Sequence, residues 1–177
     1  MRVIAGTYGG RPLKTPKGEN TRPTSDRVRE ALFSILGAAT QDARVLDLFA
    51  GSGALGLEAL SRGAASVTFV DDNRAAIAAI KSNLNALQAV AQVRQTDALR
   101  YLGSARGSGA QYDLVFLDPP YRHAERLAPP LSEALPAVLA PGAVAVAESD
   151  RRAPIALDLP LHDERRYGDT LIRIYGP

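Results

Sequence analysis

The sequence predicts an α/β fold built around one mostly parallel β-sheet that is covered by helices on both faces. From residue 44 onward, short apolar segments typical of strands alternate with segments that have the apolar spacing of helices. This alternation is typical of parallel sheets, because each crossover between parallel strands leaves room for a helix. The last two strand-like segments instead flank Gly168-Asp169 as a hairpin would. We therefore expect seven strands, including one antiparallel strand from this hairpin, and a small N-terminal β-hairpin before them.

The length and composition are those of an ordinary globular protein. The 177 residues suit one domain, and 46% hydrophobic with 23% charged residues argue against a disordered chain. No apolar run approaches the roughly 18 residues that span a bilayer. The first residues also lack the apolar stretch of a secretory signal. We expect a soluble, cytoplasmic protein that is a monomer and does not bind membranes.

Cysteine is absent, and His123 and His162 are the only histidines. Disulfides, thiolate metal sites and cysteine nucleophiles are therefore excluded, and we expect no metal cofactor. His123 lies two residues after the sequence Asp118-Pro119-Pro120-Tyr121, and we interpret it as a solvated residue at the start of a helix.

Positive charge is concentrated near the N-terminus. The net charge is +2, but residues 1–36 carry seven Lys or Arg against three acids, a balance of +4, and the remaining residues have a balance of −2. A basic segment on a mildly acidic body suggests a surface for a polyanion, although a solvated basic surface gives the same pattern. The candidate polyanion contacts are Arg11, Lys14, Lys17, Arg22, Arg27 and Arg29.

The N-terminal part is predicted to be a basic arm, formed by a β-hairpin and a loop. Residues 2–5 and 11–15 flank the glycine-rich stretch 6–10, which is typical of a turn that reverses a strand. The polar residues 16–23, with a proline at each end, are expected to form a loop. We assign residues 1–23 to this hairpin and basic arm and residues 24–177 to the main domain.

A helix is predicted after this loop. Thr24 or Ser25 is a suitable N-cap, and Gly37 is a suitable C-cap. One apolar stripe should face the core, and Arg29 should lie on the surface. The stripe consists of Val28, Ala31, Leu32, Ile35 and Leu36.

The remaining elements follow from the same patterns. Strands are expected at residues 45–49, 66–70, 90–94, 114–117, 143–148, 164–167 and 171–175. Helices are expected at 53–62, 73–87, 98–102 and, interrupted by prolines, 124–139. Residues 103–109 contain three glycines and two serines, so we expect a flexible loop there.

A glycine motif lies where the first strand of the main domain turns into a helix. Gly51, Gly53 and Gly56 form G-x-G-x-x-G, which permits a tight turn and close approach of a ligand to a helix N-terminus. Asp71 ends the next strand 20 residues after Gly51, where a carboxylate can reach ribose hydroxyls. The combination predicts a cofactor that contains a nucleoside.

Two further carboxylates favour S-adenosylmethionine over NAD as that cofactor. Asp47 precedes Gly51 by four residues and could hold the ammonium of a methionine moiety, a cation that a pyrophosphate cofactor lacks. Asp97 follows the third strand and could accept a hydrogen bond from an adenine amino group. The expected cofactor contacts are Asp47, Phe49, Ala50, Gly51, Gly53, Asp71, Asp97 and Ala98.

The motif Asp118-Pro119-Pro120-Tyr121 follows a buried strand and predicts the chemistry. The two prolines stiffen the turn and leave carbonyl groups without competing N–H donors. An aspartate oxygen and a proline carbonyl can together accept both hydrogens of an exocyclic amino group, while Tyr121 stacks on the base. Such acceptors orient a delocalised amine for attack on a sulfonium methyl group. We expect Asp118, Pro119, Pro120 and Tyr121 to be the catalytic residues.

The sequence resembles the RsmD family of bacterial 16S rRNA guanine-N2 methyltransferases from residue 2 to about residue 175. The resemblance is carried by residues 21–33 (T-R-P-T-S-D-R-V-R-E-A-L-F), 47–63 and 118–121. It implies a Rossmann-like methyltransferase fold that binds S-adenosylmethionine. It also implies methyl transfer to the exocyclic N2 of guanine 966 (the usual rRNA numbering) in the small ribosomal subunit or its precursor. Many relatives have glutamate in place of Asp71, which preserves the carboxylate.

Alternatives remain open at this point. The D-P-P-Y motif and its variants also serve methyltransferases that act on adenine N6 in nucleic acid or on protein glutamine. An NAD-dependent oxidoreductase would share the glycine motif but would have no use for Asp47 or the D-P-P-Y turn. A non-catalytic RNA-binding protein with this fold would not need Asp118.

Overall fold

The computed structural model describes residues 1–16, 25–120 and 124–176. Within these ranges the strands are β1 (Arg44–Leu48), β2 (Ser66–Asp71), β3 (Gln92–Gln95), β4 (Tyr112–Leu117), β5 (Leu139–Asp150), β6 (Leu161–Tyr167) and β7 (Thr170–Tyr175). The α-helices are α1 (Asp26–Leu36), α2 (Ala54–Ser61), α3 (Arg74–Leu87), α4 (Ala98–Gly107) and α5 (Ala124–Ala134). No helix in the described ranges is long and apolar enough to span a bilayer.

The seven strands form one sheet in the order β3-β2-β1-β4-β5-β7-β6. Strands β1 to β5 run parallel to one another, and β7 pairs antiparallel with both β5 and β6. The fold class predicted from the sequence, a Rossmann-like seven-stranded sheet with a closing hairpin, is therefore confirmed.

The parallel strands end at one edge of the sheet, which we call the carboxyl edge. From β1 the chain adds β2 and β3 on one side and then returns to place β4 on the other side of β1. The strand order therefore reverses between β1 and β4. Open α/β sheets bind ligands at this kind of reversal, in the crevice outside the strand ends.

Two separate cores cover the two faces of the sheet. On one face α1, α2 and α3 pack on alternate strand residues, and the Phe33 and Phe116 rings lie 5.7 Å apart. On the other face α4 and α5 pack on the intervening residues, with Leu102 and Leu131 fully buried. The alternation follows from the two-residue repeat of a strand, which points successive side chains to opposite faces.

The buried face of α1 differs from the predicted stripe. Ser25 is the N-cap and Gly37 the C-cap, in agreement with the prediction. However, Ile35 is 41% exposed, whereas Arg29 is fully buried. The helix turns the side of Phe33 towards the sheet, so Arg29, one turn earlier, is buried with it.

The predicted loop at residues 103–109 is wrong in large part. Helix α4 continues through Gly103 to Gly107, and the chain turns only afterwards. Leu102 and Ala105 are buried in the second core, so packing on the sheet outweighs the low helix propensity of the glycines.

The N-terminal residues pack on the first core instead of forming an exposed unit. Val3 is fully buried and Leu13 nearly so. The expected hairpin is reduced to one antiparallel bridge between Arg2 and Pro12, supported by a hydrogen bond from the Val3 amide to the Arg11 carbonyl oxygen. The division of the chain at residue 23 remains a prediction, since residues 17–24 lie outside the described ranges.

The N-terminal segment, residues 1–16, is attached to α2 through a buried carboxylate. Glu58 has no exposed surface and accepts hydrogen bonds from the backbone amides of Ile4, at 2.7 Å, and Ala5, at 3.1 Å. It also forms an ion pair with Arg62 at 2.7 Å. A buried carboxylate is tolerated because these donors replace the water that it loses.

Replacing Glu58 with alanine should lower the free energy of unfolding by about 2–5 kcal/mol, because it leaves two amides and a guanidinium without their acceptor. Urea denaturation measures this difference, with the exposed Glu30→Ala as the matched control. A loss of less than about 0.5 kcal/mol, as expected for surface changes, would contradict this role for Glu58.

Candidate active site

The predicted cofactor and catalytic residues meet at the carboxyl edge. Residues 49–53 follow β1, Asp71 ends β2, Asp97 follows β3 and Asp118 follows β4. Because these four strands are parallel neighbours, their ends lie side by side across the point where the strand order reverses. The structure therefore brings the described members of both predicted groups to one crevice.

The glycine loop makes a tight turn into α2. Gly53 caps α2 with a φ of 77°, a left-handed conformation that glycine adopts without strain. Gly56 lies against the Phe69 ring, and a Cβ there would come within 2.3 Å of a ring carbon. The second glycine therefore serves the turn, and the third serves the close packing of α2 on β2.

The loop is also held by its non-glycine residues. Phe49 is half-buried and has a φ of 61°, which is uncommon for a bulky side chain. Ala50 is buried, and its amide donates to the Val70 carbonyl oxygen at 3.0 Å. The strained Phe49 conformation is thus maintained by the hydrogen bond of the next residue to β2.

Asp71 ties the glycine loop to the end of β2. Its Oδ2 accepts from the Gly51 amide at 2.8 Å, and its Oδ1 accepts from the Asn73 amide at 2.9 Å. Each oxygen therefore holds a backbone amide, which fixes the carboxylate beside the glycine loop. Asp71 is half-buried at the crevice, the location that the sequence predicted for a contact to ribose hydroxyls.

Asp47 lies beneath the same loop and is almost fully buried. Its Oδ2 accepts from the Gly56 amide at 2.9 Å. Burial raises the pKa of Asp47 to about 8, against the lowering effect of the Gly56 amide, and the charge of Asp71 adds to the rise. A nearby cation would restore the charged form of this carboxylate.

Asp97 and Ala98 form the start of α4. Asp97 is exposed and caps the helix, with its Oδ1 accepting from the Arg100 amide at 3.0 Å, while Ala98 is buried. The cap fixes the position of the Asp97 carboxylate at the carboxyl edge. Its proposed bond to an adenine amino group remains a prediction.

The turn after β4 holds the predicted catalytic residues. Asp118 is partly exposed, Pro119 is buried and Pro120 is exposed, whereas Tyr121 and His123 lie outside the described residues. Desolvation raises the pKa of Asp118 well above its usual value, and the charges of Glu148 and Asp47 raise it further. Asp118 is therefore an unusually strong proton and hydrogen-bond acceptor when it is ionised.

Glu148 is a site residue that the sequence reasoning missed. It is 3% exposed and lies on β5, one position beyond the register pair Leu117 and Ala147. It thus stands beside Asp118 at the carboxyl edge. The sequence signal for it is an acid in the last position of the predicted strand 143–148.

The three carboxylates of Asp47, Asp118 and Glu148 lie on the same face of three adjacent strands. Desolvation raises the pKa of Asp118, and the charges of Glu148 and Asp47 raise it further. A cofactor with a positively charged ammonium and sulfonium fits this arrangement, whereas a pyrophosphate would be repelled. In the described ranges no group of three or more acidic or histidine side chains is arranged to hold a metal ion.

The predicted polyanion contacts are placed differently from one another. Arg11 and Lys14 are exposed against α3, where Arg11 donates to the Ala86 carbonyl oxygen at 2.7 Å. Arg27 is also exposed, and Lys17 and Arg22 lie outside the described residues.

Arg29 must be removed from the set of polyanion contacts. Its side chain has no exposed surface, and its Nη2 forms an ion pair with Asp26 at 2.7 Å and donates to the Arg2 carbonyl oxygen. Packing of α1 on the sheet hides its guanidinium, so it cannot meet an external phosphate.

The raised pKa of Asp47 predicts a specific dependence of stability on pH. Between the ordinary value near 4 and about 8, the folded protein retains a proton that the unfolded chain releases. The free energy of unfolding of the cofactor-free protein should therefore fall as pH rises through this range. Asp47→Asn retains an acceptor for Gly56 and should be more stable than the wild type at pH 8 by about 1–3 kcal/mol.

Urea denaturation at pH 5 and pH 8 measures this effect, with the exposed Asp158→Asn as a control that should follow the wild type. The same pH slope in Asp47→Asn and the wild type would show that Asp47 is not the group responsible.

Comparison with known sequences identifies relatives over the whole chain. A family model described as Conserved hypothetical protein 95 matches residues 1–176. The chain is 41% identical over 180 residues to YlbH of Bacillus subtilis, provisionally named an rRNA methyltransferase, which covers 99% of this chain and 98% of that protein. It is 46% identical over 123 residues to ribosomal RNA small subunit methyltransferase D of Escherichia coli, over 69% of this chain and 61% of that protein.

Solved structures show the same similarity. The Escherichia coli protein yhhF, provisionally described as a methyltransferase, superimposes with a TM-score of 0.83 at 38% identity, over 99% of this chain and 97% of that one. The Thermus thermophilus 16S rRNA N2 G1207 methyltransferase, solved with AdoMet and guanosine, shares the fold with a TM-score of 0.70 at 24% identity, over 92% of this chain and 45% of that one. The chain belongs to the RsmD family, which includes ribosomal RNA small subunit methyltransferase D of Escherichia coli.

Proposed function

We propose that this protein transfers a methyl group from S-adenosylmethionine to the exocyclic N2 of a guanine in 16S rRNA. The observation that carries the proposal is the group of desolvated carboxylates, Asp47, Asp118 and Glu148, beside a glycine loop in the crevice. Membership of the RsmD family supports the rRNA substrate and, by resemblance, guanine 966. Such a substrate would place the protein in the cytoplasm with the ribosomes, where we propose that it acts as a monomer.

The carboxyl edge can hold S-adenosylmethionine with its own side chains. Asp71 would accept from the ribose hydroxyls, Asp97 from the adenine amino group, and Asp47 would face the positively charged end of the methionine moiety. The cofactor supplies an electrophilic methyl group on a sulfonium. Binding of this cation would lower the pKa values of Asp47 and Asp118. Both carboxyl groups would therefore be ionised when the cofactor is bound.

Asp118 would orient the amine and receive its proton. A guanine amino group is a weak nucleophile, since its lone pair is delocalised into the ring. As the nitrogen forms its bond to the methyl carbon, the bond between that carbon and the sulfonium sulfur would break and leave a neutral thioether. The nitrogen becomes positively charged and must lose one hydrogen as a proton. An ionised Asp118 with a raised pKa stabilises this charge and accepts the proton, and the Pro119 carbonyl can hold the other hydrogen.

The pairing of Asp118 with Glu148 favours guanine over the adenine alternative. The edge of guanine that carries N2 presents two donors, N1–H and the amino group, whereas adenine presents its amino group beside an acceptor nitrogen. Two neighbouring carboxylates match two donors, and one of them would face the adenine nitrogen lone pair. A protein glutamine offers only its single amide group to the same pair.

The exposed cations Arg11 and Lys14 of the N-terminal segment and Arg27 of α1 are proposed RNA contacts. Arg11, Lys14 and Arg27 present their charges to solvent, and phosphate contacts of this kind set affinity without reading sequence. Asn83 links this segment to the cofactor loop, since its amide nitrogen donates to the carbonyl oxygens of Lys14, at 2.9 Å, and Ser52, at 3.0 Å.

Replacement of Asp118 or Glu148 should impair turnover more than cofactor affinity, because we propose that both carboxylates face the base. Asp118→Asn should lower the rate of methyl transfer by on the order of a hundredfold or more, as expected for loss of a transition-state acceptor. Glu148→Gln should lower kcat/KM by about 10- to 100-fold, the usual value of a paired base contact. Transfer of labelled methyl groups to unmethylated small subunits measures both effects.

Calorimetry with S-adenosylhomocysteine provides the control, and both variants should bind it with near wild-type affinity. Glu125→Gln, on the exposed surface of α5, should retain full activity. Wild-type rates for Asp118→Asn would mean that this residue only shapes the turn, and wild-type rates for Glu148→Gln would remove the argument for guanine.

A further inference from the structure

A second basic surface lies on the half of the sheet away from the N-terminal segment. A groove of about 410 Å³ opens between the end of β5 and the β6–β7 hairpin. It is lined by four arginines and one acid, and we call it the arginine groove. Its charged residues are Arg151, Arg152, Arg166, Arg173 and Glu164.

The arginine groove opens at the same edge as the candidate active site. Arg151 follows β5 directly, three residues after Glu148, which corresponds to about 10 Å along an extended strand. The β6–β7 turn lies at this edge too, because β7 is antiparallel to β5 and Thr170 pairs with Asp150. Leu171 and Arg173 pair with Ser149 and Ala147, so the groove opens on the sheet face opposite Glu148. A nucleic acid strand whose base entered at Asp118 would reach the groove by crossing the carboxyl edge.

The exposed arginines of the groove have donors to spare. The side chains of Arg151, Arg152 and Arg166 are 54%, 73% and 74% exposed. Asp169 lies 3.4 Å from the Arg151 guanidinium and 3.8 Å from that of Arg152, so these ion pairs are loose. Each guanidinium has five N–H donors in a planar fork that matches a phosphate group.

The groove is built on an ordered frame. Arg173 is only 19% exposed and donates to Glu164 at 2.9 Å and to the Ile155 carbonyl oxygen at 3.2 Å, which anchors the groove wall. The Arg151 amide donates to the Asp169 carbonyl oxygen at 2.9 Å. The backbone that carries Arg151 and the side chain of Arg173 are therefore held in place before a ligand binds, which reduces the entropy lost on binding.

We propose that the arginine groove binds backbone phosphates of the RNA strand next to the target nucleotide. This inference rests on the proposed function, since an RNA base at Asp118 brings the strand to the groove. Three acids, Glu164, Asp169 and Asp150, which accepts from the Arg152 amide, offset four arginines. The surface therefore keeps a net positive charge, which complements a phosphate chain. The strand would be held on both sides of the active site, by the groove and by the N-terminal segment.

The test compares two double variants in binding to unmethylated small subunits over a range of salt concentrations. Arg151→Gln/Arg152→Gln removes two exposed cations from the groove. Arg44→Gln/Arg106→Gln removes two exposed cations at the opposite edge, at the start of β1 and in the last turn of α4. The groove variant should bind on the order of tenfold more weakly, with the slope of log affinity against log salt reduced by about 1.4–1.8, while the control variant should match the wild type.

The other outcomes are distinguishable. Unchanged affinity and salt slope in the groove variant, with an active wild type, would overturn the groove proposal alone. Weaker binding to whole subunits but unchanged binding to protein-free 16S rRNA would show a protein partner and would also overturn it. A wild type that binds S-adenosylhomocysteine but methylates neither substrate would instead overturn the proposed function.

Discussion

The sheet places Asp47, Asp118 and Glu148 on one face at the ends of β1, β4 and β5, where desolvation and the charges of Asp47 and Glu148 make Asp118 harder to ionise. This electrostatic conflict cannot be relieved by moving one side chain, because the positions are set by strand register. Burial and the charge of Asp71 also raise the pKa of Asp47 to about 8, so this carboxyl group retains its proton in the cofactor-free protein at neutral pH. Full relief requires an external cation. These carboxylates support the proposal of a positively charged cofactor and of a base edge rich in hydrogen-bond donors.

The same edge is mechanically connected to the N-terminal segment. Glu58 holds the backbone of this segment on α2, and Asn83 joins it to the carbonyl oxygen of Ser52 in the cofactor loop. The exposed cations that we propose as RNA contacts are thus carried on the scaffold that shapes the glycine loop. The arginine groove is anchored in a similar way, by Arg173 and the β5–β7 pairing. Both basic surfaces are parts of the rigid fold rather than free arms.

The fold and most of the site could be predicted because local patterns and the parallel topology determine them. Strand ends with acids must meet at one edge of a parallel sheet, so Asp47, Asp71, Asp97 and Asp118 were predictable. Arg29 is buried and Ile35 is exposed, the reverse of the prediction, because Phe33 packing on Phe116 sets the rotation of α1. Helical spacing alone does not reveal this rotation. Glu148 and the arginine groove depend on the order of strands β4, β5, β7 and β6, and this is a tertiary property.

The central claim is that this edge methylates the N2 of a guanine in 16S rRNA. Incubation with labelled S-adenosylmethionine and unmethylated small subunits, followed by mapping of the labelled nucleoside, tests it most directly. The account predicts one labelled position in 16S rRNA, recovered as N2-methylguanosine. Label on the N6 of adenine, on a protein glutamine, or on neither rRNA nor protein would contradict it.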